Sequence, residues 1–376
     1  MPRIRLLAAA LLLGACAHDP APSDAALSDA APPDGTPPDA APPDAAPAGP
    51  LAVDLLFVID NSPSMGAKQD GLAASFPALL DGLATALGGT PDLHVGVIST
   101  DLGIAPYSTD TCSVQGDDGA LLGSSATASC TVAPEPFIID VDDGAGGRRT
   151  NYTGAIGDTF SCLARLGTGG CGFEQPLASM KRALDGEVPG NAGFLRPGAF
   201  LAVVILSDED DCSAADPGVF DTSQDSLDAP LGPFSSFRCA EFGVVCCSAS
   251  TGDCVPDILP RTDGDYTVCA PRTDSYLEDP ATYAAFLTGL KPDGRLALIT
   301  ITGPAMPFTV SSDFSGLPEL RPSCSSTLGN AFPGGRFRSL IAALPETSIY
   351  FQSICNDASL YAGTLGAFIG ARMAPM

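Results

Sequence analysis

Five short segments of the chain are dominated by apolar residues: "LLFVI" (55–59), "LHVGVIST" (93–100), "FLAVVIL" (200–206), "LALITIT" (296–302) and the weaker "SIYFQSI" (348–354). Runs of this length, rich in Val and Ile and not alternating with polar residues, suit strands buried on both faces. Between them, apolar residues recur at helical spacing. Leu72, Phe76, Leu79, Leu80, Leu83 and Leu87 follow the first run, and Pro77 is expected to kink or divide that helix. "QPLASMKRAL" (175–184) predicts another helix, with Pro176 suited to its first turn. "PATYAAFLTGL" (280–290), "FRSLIAAL" (337–344) and "SLYAGTLGAFIGARM" (359–373) complete the set. Strands alternating with helices predict an α/β fold, a doubly wound and mostly parallel central sheet with helices on both faces.

Two stretches break that rhythm. Residues 104–150 and 212–278 hold eight of the twelve Cys that follow Cys16, among many Gly, Asp, Ser and Pro, and they are too long for ordinary connections. They read as disulfide-rich insertions at the rim of the sheet, not as separate cores, within one domain spanning 51–376. Ahead of that domain, residues 17–50 are almost wholly Ala, Pro and Asp, as in "PPDGTPPDAAPPDAAPAGP". Such a segment builds no core and reads as an extended, disordered tether with a reach on the order of 100 Å at ~3.1 Å per residue.

The first residues are an export address. "MPRIRLLAAALLLGAC" has Arg3 and Arg5, then an apolar stretch too short to span a bilayer, then Leu13-Gly14-Ala15-Cys16. Those last four residues resemble a bacterial lipobox. The resemblance implies a signal peptide over 1–15, cleavage before Cys16 and lipidation of its thiol, with 16–50 as lipidated Cys and tether. Ala17 after the Cys favours the outer membrane, and the anchor holds the protein to a membrane without a transmembrane helix. A plain signal peptide that happens to contain a Cys is the alternative.

Cysteine usage agrees with export. Cys112, Cys130, Cys162, Cys171, Cys212, Cys239, Cys246, Cys247, Cys254, Cys269, Cys324 and Cys355 are even in number, as a disulfide framework in an oxidising compartment or at the cell surface requires. Cys112 with Cys130, and Cys162 with Cys171, are the local pairs expected from spacing. Zinc is the weaker reading, because no paired CxxC motifs occur. "NYT" (151–153) matches a glycosylation sequon, but a bacterial lipobox gives that match no weight.

Charge narrows the partners. Asp plus Glu is 44 against 18 Lys plus Arg, a net charge of −26. So acidic a chain repels nucleic acid and anionic lipid, and suits divalent cations or basic partners. Only two His occur. His18 lies near the N-terminus, outside any folded region, and His94 lies in a strand pattern, where a structural role is expected. Catalytic triads that use His and His-rich zinc sites are therefore disfavoured.

Candidate chemistry sits where apolar runs end. Asp60 follows the first and Ser207-Asp208 the third, and in open parallel α/β sheets ligands gather at the carboxyl ends of strands. Asp60, Ser62 and Ser64 form D-x-S-x-S in "FVIDNSPSMG". A carboxylate and two hydroxyls are hard oxygen donors of the kind Mg²⁺ and Ca²⁺ take. The same residues also suit an ordinary helix-capping turn. Asp208 brings a second carboxylate, and Glu209 to Asp211 are either further donors or a solvated loop.

D-x-S-x-S after a first strand, with Ser-Asp after a later one, resembles the von Willebrand factor type A domain and its metal-ion-dependent adhesion site. The resemblance covers about residues 51–373, interrupted by the two insertions. It implies a Rossmann-like fold and a divalent cation held at the strand ends. The family places a Thr on a middle loop just before a helix, and here Glu174 of "TGGCGFEQPLASMKRAL" stands in that region, with Thr168 as the alternative register. A Glu adds charge, favours cation retention and weakens attraction for an acidic ligand. The expected site is Asp60, Ser62, Ser64, Glu174 and Asp208 with Ca²⁺ or Mg²⁺, Ca²⁺ slightly favoured. The expected function is cation-dependent binding of a protein or surface polymer by a lipid-anchored domain, without catalysis. A structural or assembly role in the cell envelope is the main alternative. A metal-dependent hydrolase is less favoured, for want of a His or a nucleophile–base pair.

Overall fold

The structure is a computed structural model that describes residues 51–125, 130–254, 259–292, 294–357 and 360–373. The expected signal peptide, the lipidated Cys16 and the tether to residue 50 lie outside the described residues. In chain order the strands are β1 (Ala52–Ile59), β2 (Asp92–Ser99), β3 (Ile138–Asp142), β4 (Arg148–Thr150), β5 (Phe200–Leu206), β6 (Val244–Ser248) and β7 (Gly264–Pro271). They continue as β8 (Leu296–Thr302), β9 (Phe308–Ser312), β10 (Pro318–Leu320), β11 (Cys324–Ser326), β12 (Gly329–Ala331) and β13 (Ile349–Ser353). The helices are α1 (Gly66–Leu87), α2 (Ile156–Leu163), α3 (Pro176–Leu184), α4 (Phe237–Gly243), α5 (Pro280–Leu290), α6 (Gly335–Ala342) and α7 (Leu360–Met373).

All five apolar runs became strands of one seven-stranded sheet in the order β13-β8-β5-β1-β2-β3-β4. The first five are parallel, and β3 and β4 close one edge antiparallel. The continuous apolar character of β1 and β5 has a direct cause: side chains on both faces are buried. Val53, Leu55, Phe57 and Ile59 face α1, α2 and α7, through residues such as Leu72, Phe76, Phe160 and Leu365. Leu56 and Val58 face the opposite layer, where Leu177, Tyr283, Leu287 and Phe337 come from α3, α5 and α6. At ~25 cal/mol per Å² of apolar surface these two layers are the main favourable contribution to folding. His94 in β2 has the structural role expected of it: its Nδ1 lies 2.9 Å from the carbonyl oxygen of Phe194.

Pro77 does not divide its helix. α1 runs unbroken from Gly66 to Leu87 with Pro77 inside it. A proline removes one donor, but Phe76 and Leu79 on either side of it are buried in the same core, and that packing outweighs the lost bond. α7 also clamps the helix. A Cβ on Gly366 would lie 2.1 Å from the Leu79 carbonyl oxygen, and one on Gly370 would lie 2.3 Å from Ala86 Cβ. Only glycine lets the two backbones approach this closely.

The two irregular stretches differ from expectation. Residues 138–150 supply β3 and β4, so part of the first stretch extends the central sheet instead of standing at its rim. The second stretch contributes to two further hydrophobic clusters. One contains Phe173, Phe220, Leu231, Phe242 and the buried Cys112, Cys171, Cys212 and Cys239. The other lies under a four-stranded antiparallel sheet, β10-β9-β7-β6, with Phe237, Tyr266 and Phe308 inside it. Separate small cores therefore exist, and β9 and β10 come from outside 212–278. Between them the irregular chain is held by arginines. The buried Arg238 guanidinium donates to the carbonyls of Pro233, Val219, Asp221, Gln224 and Gly232. Hydrogen bonds to a charged group contribute about 1.5–3 kcal/mol each, so this fan substitutes for missing apolar contacts.

The twelve cysteines among the described residues all pair: Cys112–Cys171, Cys130–Cys162, Cys212–Cys239, Cys246–Cys269, Cys247–Cys254 and Cys324–Cys355. Six disulfides indicate an oxidising compartment. The local pairs Cys112–Cys130 and Cys162–Cys171 do not form. Gln175 bonds to the carbonyls of Thr100 and Gly103, and Cys171 N donates to Asp101, so the loop before α3 lies against the loop after β2. That brings Cys171 to Cys112 and leaves Cys130 to α2. Among the described residues no helix is long and apolar enough to cross a membrane. Peptide mapping of the unreduced protein is expected to recover Cys112–Cys171 and Cys130–Cys162 as linked peptides; recovery of Cys112–Cys130 would contradict this packing.

Candidate metal centre

β1 has β2 on one side and β5 on the other, so the strand order reverses beside it. Such a switch point leaves a crevice beyond the carboxyl ends of the strands. Ile59 pairs with Leu206, so Asp60 and Ser207 leave the sheet side by side, tied by Asp60 N to Leu206 O at 2.9 Å. Asp60 is fully buried. Its Oδ1 accepts from Ser62 N at 2.8 Å and its Oδ2 from Ser207 Oγ at 2.9 Å. Asp60 thus closes the turn on itself, but no side chain caps the start of α1, and Ser62 and Ser64 face each other with 3.4 Å between their hydroxyl oxygens. Ser62 is buried and Ser64 is exposed.

A middle loop packs against this turn. Gln69 of α1 donates to the carbonyls of Asp60 and Gly167, both at 2.8 Å. Gly170 N donates to Asn61 O at 2.8 Å, and a Cβ on Gly170 would lie 2.1 Å from Asn61 Oδ1. Thr168 in this loop is exposed, with its methyl toward Gly66. Glu174, further on, is 1% exposed, and its carbonyl accepts from Cys212 N at 2.8 Å. The chain therefore buries the Glu and exposes the Thr.

Asp60, Glu174, Asp208 and Glu209 lie close enough to disturb one another. Burial first, then the negative charge of Asp208, pushes the Asp60 carboxyl up to about 6. Burial, followed by Glu209, Asp60 and Asp208, holds Glu174 well above the usual carboxylate range. Burial and then Asp208 push the half-buried Glu209 up to about 8, against a hydrogen bond from Ser236. Two oxygens in this cluster, Glu174 Oε1 and Asp208 Oδ1, are buried without a hydrogen-bond partner. Beyond Glu209 a cavity of about 180 Å³ continues between Ser235, Ser236 and the β10 residues Glu319 and Leu320.

The rest of the acid run is used elsewhere. Both oxygens of Asp210 accept from Arg336 N at the start of α6. Asp211 accepts from Leu177 N at the start of α3 and pairs with the buried Arg336 guanidinium at 3.0 Å. These two acids stabilise helix N-termini, where negative charge is favoured. They are neither extra donors at the strand ends nor a solvated loop.

Sequence reasoning missed Lys68. It is 1% exposed, and its Nζ lies 2.5 Å from Asp208 Oδ2. Its position four residues after Ser64, one helical turn on, is the signal that points it back to the turn. Among the described residues no three acidic, His or Cys side chains are gathered closely enough to hold an ion by themselves. The two unpartnered carboxylate oxygens and the two facing hydroxyls are hard oxygens of the kind that Ca²⁺ and Mg²⁺ take.

Neither a protein-family model nor a curated protein matches the chain. Among solved structures, the pilus adhesin RrgA from Streptococcus pneumoniae is similar at 9% identity and a TM-score of 0.33, over 85% of this chain and 44% of that one. The chain spans less than half the length of that adhesin, and a likeness of this depth assigns neither fold family nor activity.

The raised carboxyls fix a pH dependence. Asp60 at about 6 and Glu209 at about 8 keep their protons in the folded chain, at pH values where the unfolded chain has released them near 3.8 and 4.5. Their contribution to stability is complete below about pH 4 and is lost as pH rises toward 8. Metal-stripped protein is expected to melt at a lower temperature at pH 8 than at pH 5, and Glu209→Gln to reduce that fall. A melting temperature that holds level or rises over this range would contradict the electrostatics described.

Proposed function

We propose that the strand-end cluster is the divalent-cation site of a von Willebrand factor type A domain, formed by Asp60, Ser62, Ser64, Glu174 and Asp208. We further propose that the protein is a surface lipoprotein, anchored through Cys16, which binds a protein or surface polymer through that site and performs no catalysis. The observation that carries the site is the pair of buried, unpartnered oxygens, Glu174 Oε1 and Asp208 Oδ1, in a cluster of four carboxylates. An unpaired buried acceptor is costly, and a cation removes that cost. The mostly parallel sheet and the place of Asp60 and Asp208 at its switch point support the fold family. When bound, the ion would supply positive charge and an open coordination position for a partner's oxygen. The hydroxyls of Ser62 and Ser64 would serve it as neutral donors, while Asp60, already accepting two hydrogen bonds, orients the turn.

One observation favours a second reading. Glu174 is buried, and a carboxylate supplied to the ion from within the chain would stand in for a partner's, so the ion would serve to hold the loops together in an envelope protein of structural role. The two readings share the site and differ in what leaves with the metal.

Calorimetry on metal-stripped protein is expected to show binding of Ca²⁺ or Mg²⁺, weakened at least about tenfold by Glu174→Gln or Asp60→Asn. Absence of any effect of both substitutions sinks the site. Capture of envelope or matrix components that persists in EDTA and in Asp60→Ala sinks the adhesion reading and leaves the structural one.

A further inference from the structure

The carboxylate cluster already contains one cation, and it comes from the chain itself. Lys68 Nζ donates to Asp208 Oδ2 at 2.5 Å and to the Ser64 carbonyl at 3.2 Å. The side chain is 1% exposed, although Lys is seldom buried at all. The turn between β11 and β12 closes over it: Gly329 sits at φ +118, and a Cβ there would lie 3.2 Å from Nζ. The ammonium takes one oxygen of Asp208 and leaves the other, Oδ1, buried and unpartnered. A divalent ion on Oδ1 would thus share a single carboxylate with an ammonium.

We infer that Lys68 is a resident counter-cation of this site. It neutralises part of the cluster's charge while no metal is bound, and it lowers and tunes the site's affinity for divalent cations by repulsion across Asp208. The inference rests on the cation-site reading given above. Two positive charges about one carboxylate apart repel strongly where little water screens them. Lys68 pairs with one oxygen of one carboxylate and leaves the other carboxyl groups of the cluster without a cation, so the counter-cation moderates binding instead of abolishing it. Lysine suits the task better than arginine: a compact charge on a flexible stem can withdraw when an ion enters, whereas a guanidinium fork would lock both carboxylate oxygens.

A purely structural ion pair predicts the opposite sign. If Lys68 only organised the loops, removing it would loosen the donor set and weaken cation binding. The test is calorimetric titration of metal-stripped protein with CaCl₂ and with MgCl₂, in wild type, Lys68→Met and Lys68→Gln, with melting temperatures measured with and without the cation. Lys68→Gln keeps a donor for Asp208 and covers the case in which Lys68→Met does not fold. The expected result is an affinity at least about tenfold higher in the variants, or ~1.4 kcal/mol. The stripped variants should also melt below wild type and gain more from saturating cation. Unchanged or weaker affinity in the variants, with binding retained by wild type, overturns the inference and leaves the site reading standing. No cation binding by wild type or either variant overturns the site reading, and the inference with it.

Discussion

Four carboxylates gathered at one strand switch point, three of them fully buried, with a single lysine among them, set the central constraint on this fold. Charges of one sign do not gather in a dry crevice without a compensating cation or retained protons. The chain uses both devices: Lys68 on Asp208, and protons held on Glu174 and Glu209 to unusually high pH. Two oxygens are still left without partners. The proposed divalent ion would be a third device, satisfying those oxygens and the charge together.

The surrounding architecture holds that crevice open and fixed. β1 and β5 deliver their terminal acids side by side because both strands are clamped between helix layers. α1 begins right after the serine turn and carries Lys68 in its first turn, and glycines of α7 pack closely on its later turns. Asp210 and Asp211 tie the loop after β5 to the starts of α6 and α3, so Asp208 and Glu209 cannot swing away. The small cores, Arg238 and the disulfides then hold the irregular chain around the rim, where the cavity next to Glu209 lies.

The central sheet was legible because burial on both faces writes continuous apolar runs; β5, β8 and α5 match the sequence reading residue for residue. The small sheet was not legible. β6 and β9 are only five residues long, and β6 is joined to β7 by Cys246–Cys269, so no continuous apolar run marks them. Disulfide partners were unreadable for a related reason, since hydrogen bonds between distant loops, not spacing, decide which cysteines meet. At the candidate site, the acids that end strands could be found from position alone. The division of the acid run into two site residues and two helix-capping residues could not, because it depends on where α3 and α6 begin. Lys68 was visible only as a helical-turn offset from Ser64, a signal too common to single out.

The most direct test of the central claim is an anomalous-scattering crystal structure of the protein grown with Mn²⁺ in place of Ca²⁺ or Mg²⁺. The account predicts an anomalous peak at the ends of β1 and β5, within bonding distance of Ser62, Ser64 and Asp208 Oδ1 or their bound waters, with Glu174 turned toward it. An empty crevice at saturating Mn²⁺, with Lys68 still seated on Asp208 and no peak at the strand ends, would contradict it.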